Sequence, residues 1–280
     1  MAILSADSLS VGFGDKIVIR NLSLAVENGQ ILSIIGPNGS GKSTLLKALA
    51  RSLTPVTGSV LLDGKDIRSF NANSLARQLA ILHQSARAPA DLTVRDLVEY
   101  GRFPYQHWWK GRNEEDKRVV EWALEQTGLI DLSARLLNTL SGGEQQRAWI
   151  AMALAQKPRI LLLDEPTTYL DICHQIEILD LIRQLNREQG ITIVMVLHDL
   201  NYAARYADKI AVLRQGNLYA AGYPAAMITP AMLREVFQVE ADVWTDDQGR
   251  PVCLAQKLIR EVRVTAPENE VSHDYYRSHD

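Results

Sequence analysis

Cysteine is scarce: Cys173 and Cys253 are the two in 280 residues. They are too few for a disulfide framework and do not stand at metal-ligand spacing. A reducing cytosol is the expected home. Long apolar runs are missing too. Residues 30–35 and 160–163 fall far short of the roughly 20 residues that a membrane-crossing helix needs, and have the length of buried strands. Any work at a membrane must then pass through another chain. The opening residues 1–7 lack a basic start and a sustained apolar stretch, so a secretory leader is not expected. Charge of one sign is also absent, since 30 Lys+Arg against 33 Asp+Glu leave a formal net charge of -3. That balance offers no global basic field for nucleic acid, although a local patch would escape the count. No internal repeat stands out.

What is present is enough apolar residue, 46% of the chain, for a substantial core. The length suits one catalytic domain with subdomains, taken as residues 1–240, followed by an extension of unassigned role over 241–280. Strand-like segments occupy residues 17–26 and 31–35, with a turn at Glu27-Asn28-Gly29 between them. A glycine-rich loop follows, then a helical pattern over 43–53 and another strand over 59–63, with Asp63-Gly64 as a hairpin turn. This reads as a small antiparallel layer. Helical spacing dominates residues 92–156, which marks a helical insertion of about 88–157. Short apolar strands return at 160–164, 191–197 and 209–213, with a helix near 175–188. Such alternation predicts a largely parallel α/β sheet. Residues 246–251 read as a turn between two strands, and the polar end from about 266 as a mobile tail.

The run Gly36-Pro37-Asn38-Gly39-Ser40-Gly41-Lys42-Ser43-Thr44 matches the phosphate-binding loop pattern, with a strand before it and a helix after it. Its glycines allow backbone N–H groups to face phosphates, and the following helix adds the positive end of its dipole. Lys42 suits the β- and γ-phosphates of ATP or GTP, and the Ser43 hydroxyl suits Mg2+. Downstream, the apolar stretch Ile160–Asp164 delivers Asp164 and Glu165 at its carboxyl end, where open α/β sheets bind ligands. Asp164 is placed to hold hydrated Mg2+, and Glu165 to orient the attacking water. Ordinary readings exist for each: a glycine-rich turn for the loop, a solvated strand end for the carboxylates.

Leu140-Ser141-Gly142-Gly143-Glu144-Gln145-Gln146-Arg147, shortly before the acidic strand, closely resembles the signature motif of the ABC ATPases. The resemblance extends over residues 3–225. It implies a P-loop NTPase, RecA-like core with an antiparallel β subdomain and a helical insertion, binding ATP and Mg2+. By the same resemblance Phe13 stacks on adenine, where tyrosine is more usual; as a lone aromatic it equally suits a core. Gln84 resembles the glutamine that reaches Mg2+ and senses a permease. Asp171, in Thr168-Tyr169-Leu170-Asp171, resembles the aspartate linking two ATP sites, in a loop whose first residues depart from the commoner form. His198 resembles the switch histidine at the γ-phosphate. The signature run, Ser141, Gly142, Gly143 and Glu144, closes the site of a partner copy, so the resemblance implies a homodimer. The same run also suits a helix cap.

No coiled-coil insertion separates the P-loop from the acidic strand and one set of motifs is present, which favours transport over repair or translation roles. Gly101-Arg102-Phe103-Pro104-Tyr105-Gln106, residues 148–156 and Leu170-Asp171-Ile172-Cys173-His174-Gln175 resemble ATPases that import ferric siderophores, with haem and vitamin B12 importers as close relatives. The implied partners are an integral membrane permease and, indirectly, an external substrate-binding protein, with no nucleic acid. The implied location is the cytoplasmic face of the membrane. A soluble, non-transport ABC ATPase is the alternative. Residues 84–109 are expected to meet the permease, with Arg102 as a docking charge and Tyr105, His107, Trp108 and Trp109 as aromatic contact area.

Overall fold

The computed structural model describes residues 2–84, 89, 91–106 and 113–259. In chain order it sets β1 (Ala2–Phe13), β2 (Lys16–Glu27), β3 (Ile31–Ile35), α1 (Lys42–Leu49), β4 (Thr57–Leu62) and β5 (Lys65–Asp66). Next come α2 (Ala72–Ala76), β6 (Leu79–Leu82), α3 (Val94–Tyr100), α4 (Glu114–Gln126), α5 (Gly142–Ala155) and β7 (Ile160–Asp164). The chain continues through α6 (Ile172–Gln189), β8 (Thr192–Val196), α7 (Leu200–Tyr206), β9 (Lys209–Arg214), β10 (Asn217–Gly222) and α8 (Pro224–Met227). It closes on β11 (Val239–Thr245) and β12 (Pro251–Leu258).

One sheet has the order β2-β1-β4-β5 and is antiparallel throughout. Its last hairpin turns at Asp63 and Gly64, both at positive φ, 49° and 75°, the conformation that two-residue hairpin turns require. The second sheet has the order β10-β9-β3-β8-β7-β6, parallel from β9 to β6 with β10 antiparallel at the edge. The parallel strands β3, β7 and β8 are buried at every position, which explains why they read as unbroken apolar runs. Strand alternation then divides them between two cores. Leu32, Ile34, Ile160 and Leu162 face α1 and the antiparallel sheet. Ile31, Ile35, Leu161 and Leu163 face α3, α4, α5 and α6.

The helical stretch is made of α3, α4 and α5, and their termini follow local chemistry. Thr93 and Asp96 form a capping box at the start of α3, and Asn113 caps α4 by accepting from Asp116 N at 2.7 Å. Arg102 lies between these helices, and here one expectation is corrected. It is 2% exposed, donates to Asp116 Oδ1 at 2.8 Å and Ala155 O at 2.7 Å, and stacks on the Tyr105 ring at 3.8 Å. A buried guanidinium must be paired, so Arg102 fastens α3 to α4 and α5 and is no surface docking charge. Tyr105 is half-buried, its hydroxyl donated to Gln156 O at 2.9 Å. His107, Trp108 and Trp109 lie outside the described residues.

The C-terminal strands β11 and β12 pair antiparallel around the expected turn, where Asp246 N donates to Arg250 O at 2.8 Å and Gly249 N to Asp246 O at 3.0 Å. Asn201 on α7 ties this hairpin to the body through reciprocal bonds with the Cys253 backbone, 2.8 and 3.2 Å. The tail read as mobile lies outside the described residues.

Candidate active site

The site forms at the carboxyl ends of four neighbouring parallel strands, β3, β8, β7 and β6, the edge where open sheets take ligands. From β3 the chain turns through residues 36–41 into α1. Gly36 has φ +152°, and a Cβ there would stand 2.3 Å from Leu213 O. Gly41 caps α1 at φ +100°, and a Cβ would meet Ile19 Cδ1 at 2.5 Å. Side chains are therefore excluded by backbone conformation and by space. The second contact is informative, because it shows β2 lying against the loop. Val18, next to Ile19, lines an open pocket of about 340 Å³ with Asn38, Gly39, Lys42, Ser43, Thr44 and Glu165.

Lys42 is 5% exposed, its Nζ donated to Gly36 O at 2.9 Å and Pro37 O at 3.1 Å. Burial holds its ammonium below the ordinary lysine range, against the pull of Glu165 and Asp164. Ser43 Oγ donates to Asp164 Oδ1 at 2.8 Å. Burial pushes the Asp164 carboxyl above its usual range, a shift opposed by the Ser43 bond and reinforced by neighbouring Glu165. Ser40 is also buried, and its hydroxyl has no hydrogen-bond partner among the described residues.

Glu165 follows β7 at φ +53°, in the left-handed region that a non-glycine residue adopts only when its surroundings demand it. Its carboxylate is held from three sides. Gln84, beyond the end of β6, donates Nε2 to Oε2. Thr168 donates Oγ1 to the same oxygen at 3.1 Å. His198, beyond β8, places Nε2 2.5 Å from Oε1. A carboxylate offers about four acceptor positions; among the described residues three are used, one of them on Oε1. Residues distant in sequence, Gln84, Glu165 and His198, are thus brought together.

Other expected residues stand outside this cluster. Phe13 is exposed at the tip of the β1–β2 hairpin, paired with Lys16, so its core alternative does not hold. Ser141 caps α5 in a capping box, with Glu144 N donating to Ser141 Oγ at 3.3 Å and Ser141 N to Glu144 Oε2 at 2.7 Å. Those bonds hold the Glu144 carboxyl below its usual range. Gly142 faces Leu170, and Gly143 lies so close to α6 that a Cβ would reach His174 Cδ2 at 2.3 Å. Asp171 caps α6, accepting from His174 N at 2.9 Å and facing His174 Nδ1 at 2.7 Å. Hydrogen bonds from His174 depress the Asp171 pKa.

Sequence reasoning passed over Val18, Thr168 as a partner of Glu165, and His174 as the link between Asp171 and Gly143. Thr168 carried the clearest missed signal, three residues after Glu165 at a tight turn. Val18 and His174 carried none, because their positions depend on packing between elements.

Comparison with known proteins identifies the fold and the family. The ABC transporter family model matches residues 19–168. The chain is similar to the iron(3+)-hydroxamate import ATP-binding protein of Bacillus subtilis (strain 168), 47% identical over 93% of this chain and 97% of that one. Among solved structures it is similar to an inward-facing, metal-chelate type ABC transporter, with a TM-score of 0.80 and 26% identity over 92% of this chain and 98% of that chain. A dimeric bacterial ABC transporter cassette matches with a TM-score of 0.68 and 31% identity, over 79% and 98% of the two chains. Family model, relatives and fold agree: the chain belongs to the ATP-binding subunits of ABC transporters.

Proposed function

We propose that this chain hydrolyses ATP to power import of a ferric siderophore through a separate membrane permease, working as a head-to-tail dimer. The observation that carries the mechanism is the convergence of Gln84, Thr168 and His198 on Glu165 beside the Lys42 pocket. The triphosphate lies along the loop of residues 36–44, with Lys42 turning from its carbonyl contacts to the β- and γ-phosphates. Phe13 stacks on adenine. The second acceptor position on Glu165 Oε1 accepts a proton of the attacking water. The water oxygen bonds to the γ-phosphorus as the bond to the ADP oxygen breaks. His198 shares Oε1 and stands ready for the γ-phosphate. Gln84 answers to the permease.

The Ser43 hydroxyl and the Asp164 carboxylate form a hard-oxygen pair that fits Mg2+, with the Gln84 amide oxygen, nucleotide and water as the further ligands. Among the described residues no cluster of three His, Cys, Asp or Glu could hold a metal unaided, as suits a cation that arrives with its nucleotide. When bound, Mg2+ neutralises charge on the β- and γ-phosphates.

Ser141, Gly142, Gly143 and Glu144 make none of the bonds of the Glu165 cluster and are offered to the ATP of a second copy, with Asp171 joining the two sites. ATP then favours the closed dimer because only the bound state unites both surfaces. No helix among the described residues is long and apolar enough to cross a membrane. The likeness to an import ATP-binding protein supports a place on the cytoplasmic face through a permease, with a substrate-binding protein as an indirect partner. Tyr100 and Phe103, exposed and 4.9 Å apart, supply aromatic contact area near Gln84 in sequence.

The cargo reading is supported by the named relative above. Its test is ATP-dependent uptake of a labelled ferric siderophore by vesicles carrying this subunit and its permease, with Glu165→Gln as control. Uptake by wild type alone supports the reading. Transport of haem or vitamin B12 instead corrects the cargo, and failure to couple to any permease leaves a soluble ABC ATPase.

A further inference from the structure

A second cleft, of about 410 Å³, lies where the C-terminal hairpin meets the ATPase body. Arg183 of α6, Arg205 at the end of α7, Arg250 in the β11–β12 turn and Tyr223 before α8 line it. We propose that this cleft binds a small phosphate-bearing anion, at a site separate from the nucleotide pocket.

The lining of the cleft holds three guanidiniums and no carboxylate. Arg183 Nη1 donates to Arg205 O at 3.0 Å, and Arg250 Nη1 donates to the same carbonyl at 3.3 Å. The guanidinium of Arg205 makes no hydrogen bond or ion pair among the described residues and rests 5.5 Å from the Tyr206 ring. Carboxylates stand near the cleft but not in its lining. Asp246 Oδ2 pairs with Arg250 Nε at 3.7 Å, while its Oδ1 accepts from two backbone amides of its own turn, 2.8 and 2.9 Å away. Asp180 accepts the Tyr206 hydroxyl at 2.9 Å, and Asp208 accepts from Ile31 N at 2.8 Å. Burial holds Arg183 below the ordinary arginine range, and its neighbours Arg187 and Arg250 push it further in that direction while Asp208 opposes them. Like charges crowded in this way are relieved by an anion, and planar guanidinium forks match phosphate oxygens in pairs.

The carbonyl end of α7 would by itself repel an anion. Here its Arg205 carbonyl is covered by two guanidiniums, which reverses the local sign. The location also gives the cleft a line to the nucleotide site. α7 is capped by Asp199, beside His198, and spans about 10 Å at 1.5 Å per residue; α6 begins at the Asp171 cap. An occupant would bridge the far portions of both helices to the C-terminal hairpin. The site does not depend on the cargo or the permease assigned above.

The test is isothermal titration of inorganic pyrophosphate into the full chain saturated with ADP, so that the loop of residues 36–44 is already filled. A single binding event is expected, weakened at least about tenfold in Arg205→Gln and in Arg250→Gln, with ADP affinity unchanged. Arg205→Gln keeps its backbone carbonyl and loses no internal hydrogen bond, so it remains informative if Arg250→Gln loosens the hairpin. Absence of any event in the ADP-saturated wild type, or an event of equal affinity in Arg205→Gln, would overturn the assignment.

Discussion

His198 Nε2 lies 2.5 Å from Glu165 Oε1, joining the ends of two adjacent strands, β8 and β7, across the nucleotide pocket. If Glu165 is the base, Glu165→Gln should lower kcat for ATP hydrolysis by roughly 100- to 10,000-fold. ATP affinity should change little, because the isosteric amide still accepts from Gln84 and Thr168. Single-turnover hydrolysis and nucleotide titration on the same preparation separate the two. A kcat within a few-fold of wild type would remove Glu165 from the role.

Arg102 and Asp116 form a buried pair, with side chains 3% and 7% exposed. Arg102→Ala should lower stability by about 3–5 kcal/mol, because it strands the Asp116 carboxylate in the helical layer. Urea unfolding reads the effect. A loss confined to permease-coupled activity, with unchanged unfolding, would restore Arg102 to the docking surface.

Gly143 has no room for a side chain beneath His174. Gly143→Ala is expected to lose about 1–3 kcal/mol through overpacking. The double change Gly143→Ala with His174→Ala should recover much of that loss, giving a clear coupling energy in a double-mutant cycle. Strict additivity in thermal melts would contradict the contact.

Ser141→Arg should abolish ATP-dependent dimerisation in light scattering while the monomer still binds nucleotide. Because Ser141 also caps α5, the substitution removes about 1 kcal/mol of helix stability. Ser141→Ala, which loses the cap without adding bulk, separates that loss from a blocked interface. Dimerisation by Ser141→Arg at wild-type ATP concentrations would count against the head-to-tail arrangement.

Tyr206 is 3% exposed and donates its hydroxyl to Asp180 Oδ1 at 2.9 Å. Burial first, then Asp180, pushes its pKa up to about 12 from an ordinary 10.0. Between those values the unfolded chain has released the proton and the folded chain still holds it. The contribution is therefore complete below pH 10 and declines as pH rises toward 12, by on the order of 2 kcal/mol. Tyr206→Phe should show a shallower alkaline decline than wild type in urea unfolding at pH 9 to 11.5; parallel curves would exclude this group as a cause.

Much of this protein was legible because its chemistry is local. A loop that must cradle phosphates needs glycine at fixed offsets, and a strand buried on both faces needs an unbroken apolar run. Gly36 to Thr44 and Ile160–Asp164 therefore announced themselves in the chain, as did the turn at Asp63-Gly64 and the one before β12. That the signature run caps a helix was readable as well, although the cap proves to be Ser141, in a capping box with Glu144, with the helix starting at Gly142.

Other features depended on which surfaces meet. Arg102 stands in a segment whose spacing gives no sign of depth, and only the packing of α3 against α4 and α5 makes it a buried tie. His174 is an ordinary polar residue until α6 sets its ring over Gly143. The three arginines of the second cleft come from α6, α7 and a distant hairpin, with nothing in their spacing to connect them. The sequence alone determined the phosphate loop, the buried parallel strands β3, β7, β8 and β9, two turns and the family, because backbone conformation and alternation act over a few residues; β1, β6 and β10 came only with the structure. Tertiary structure alone decided the gathering of Gln84, Thr168 and His198 around Glu165, the burial of Arg102 and the arginine cleft, because burial and charge compensation are set by neighbours far apart in the chain.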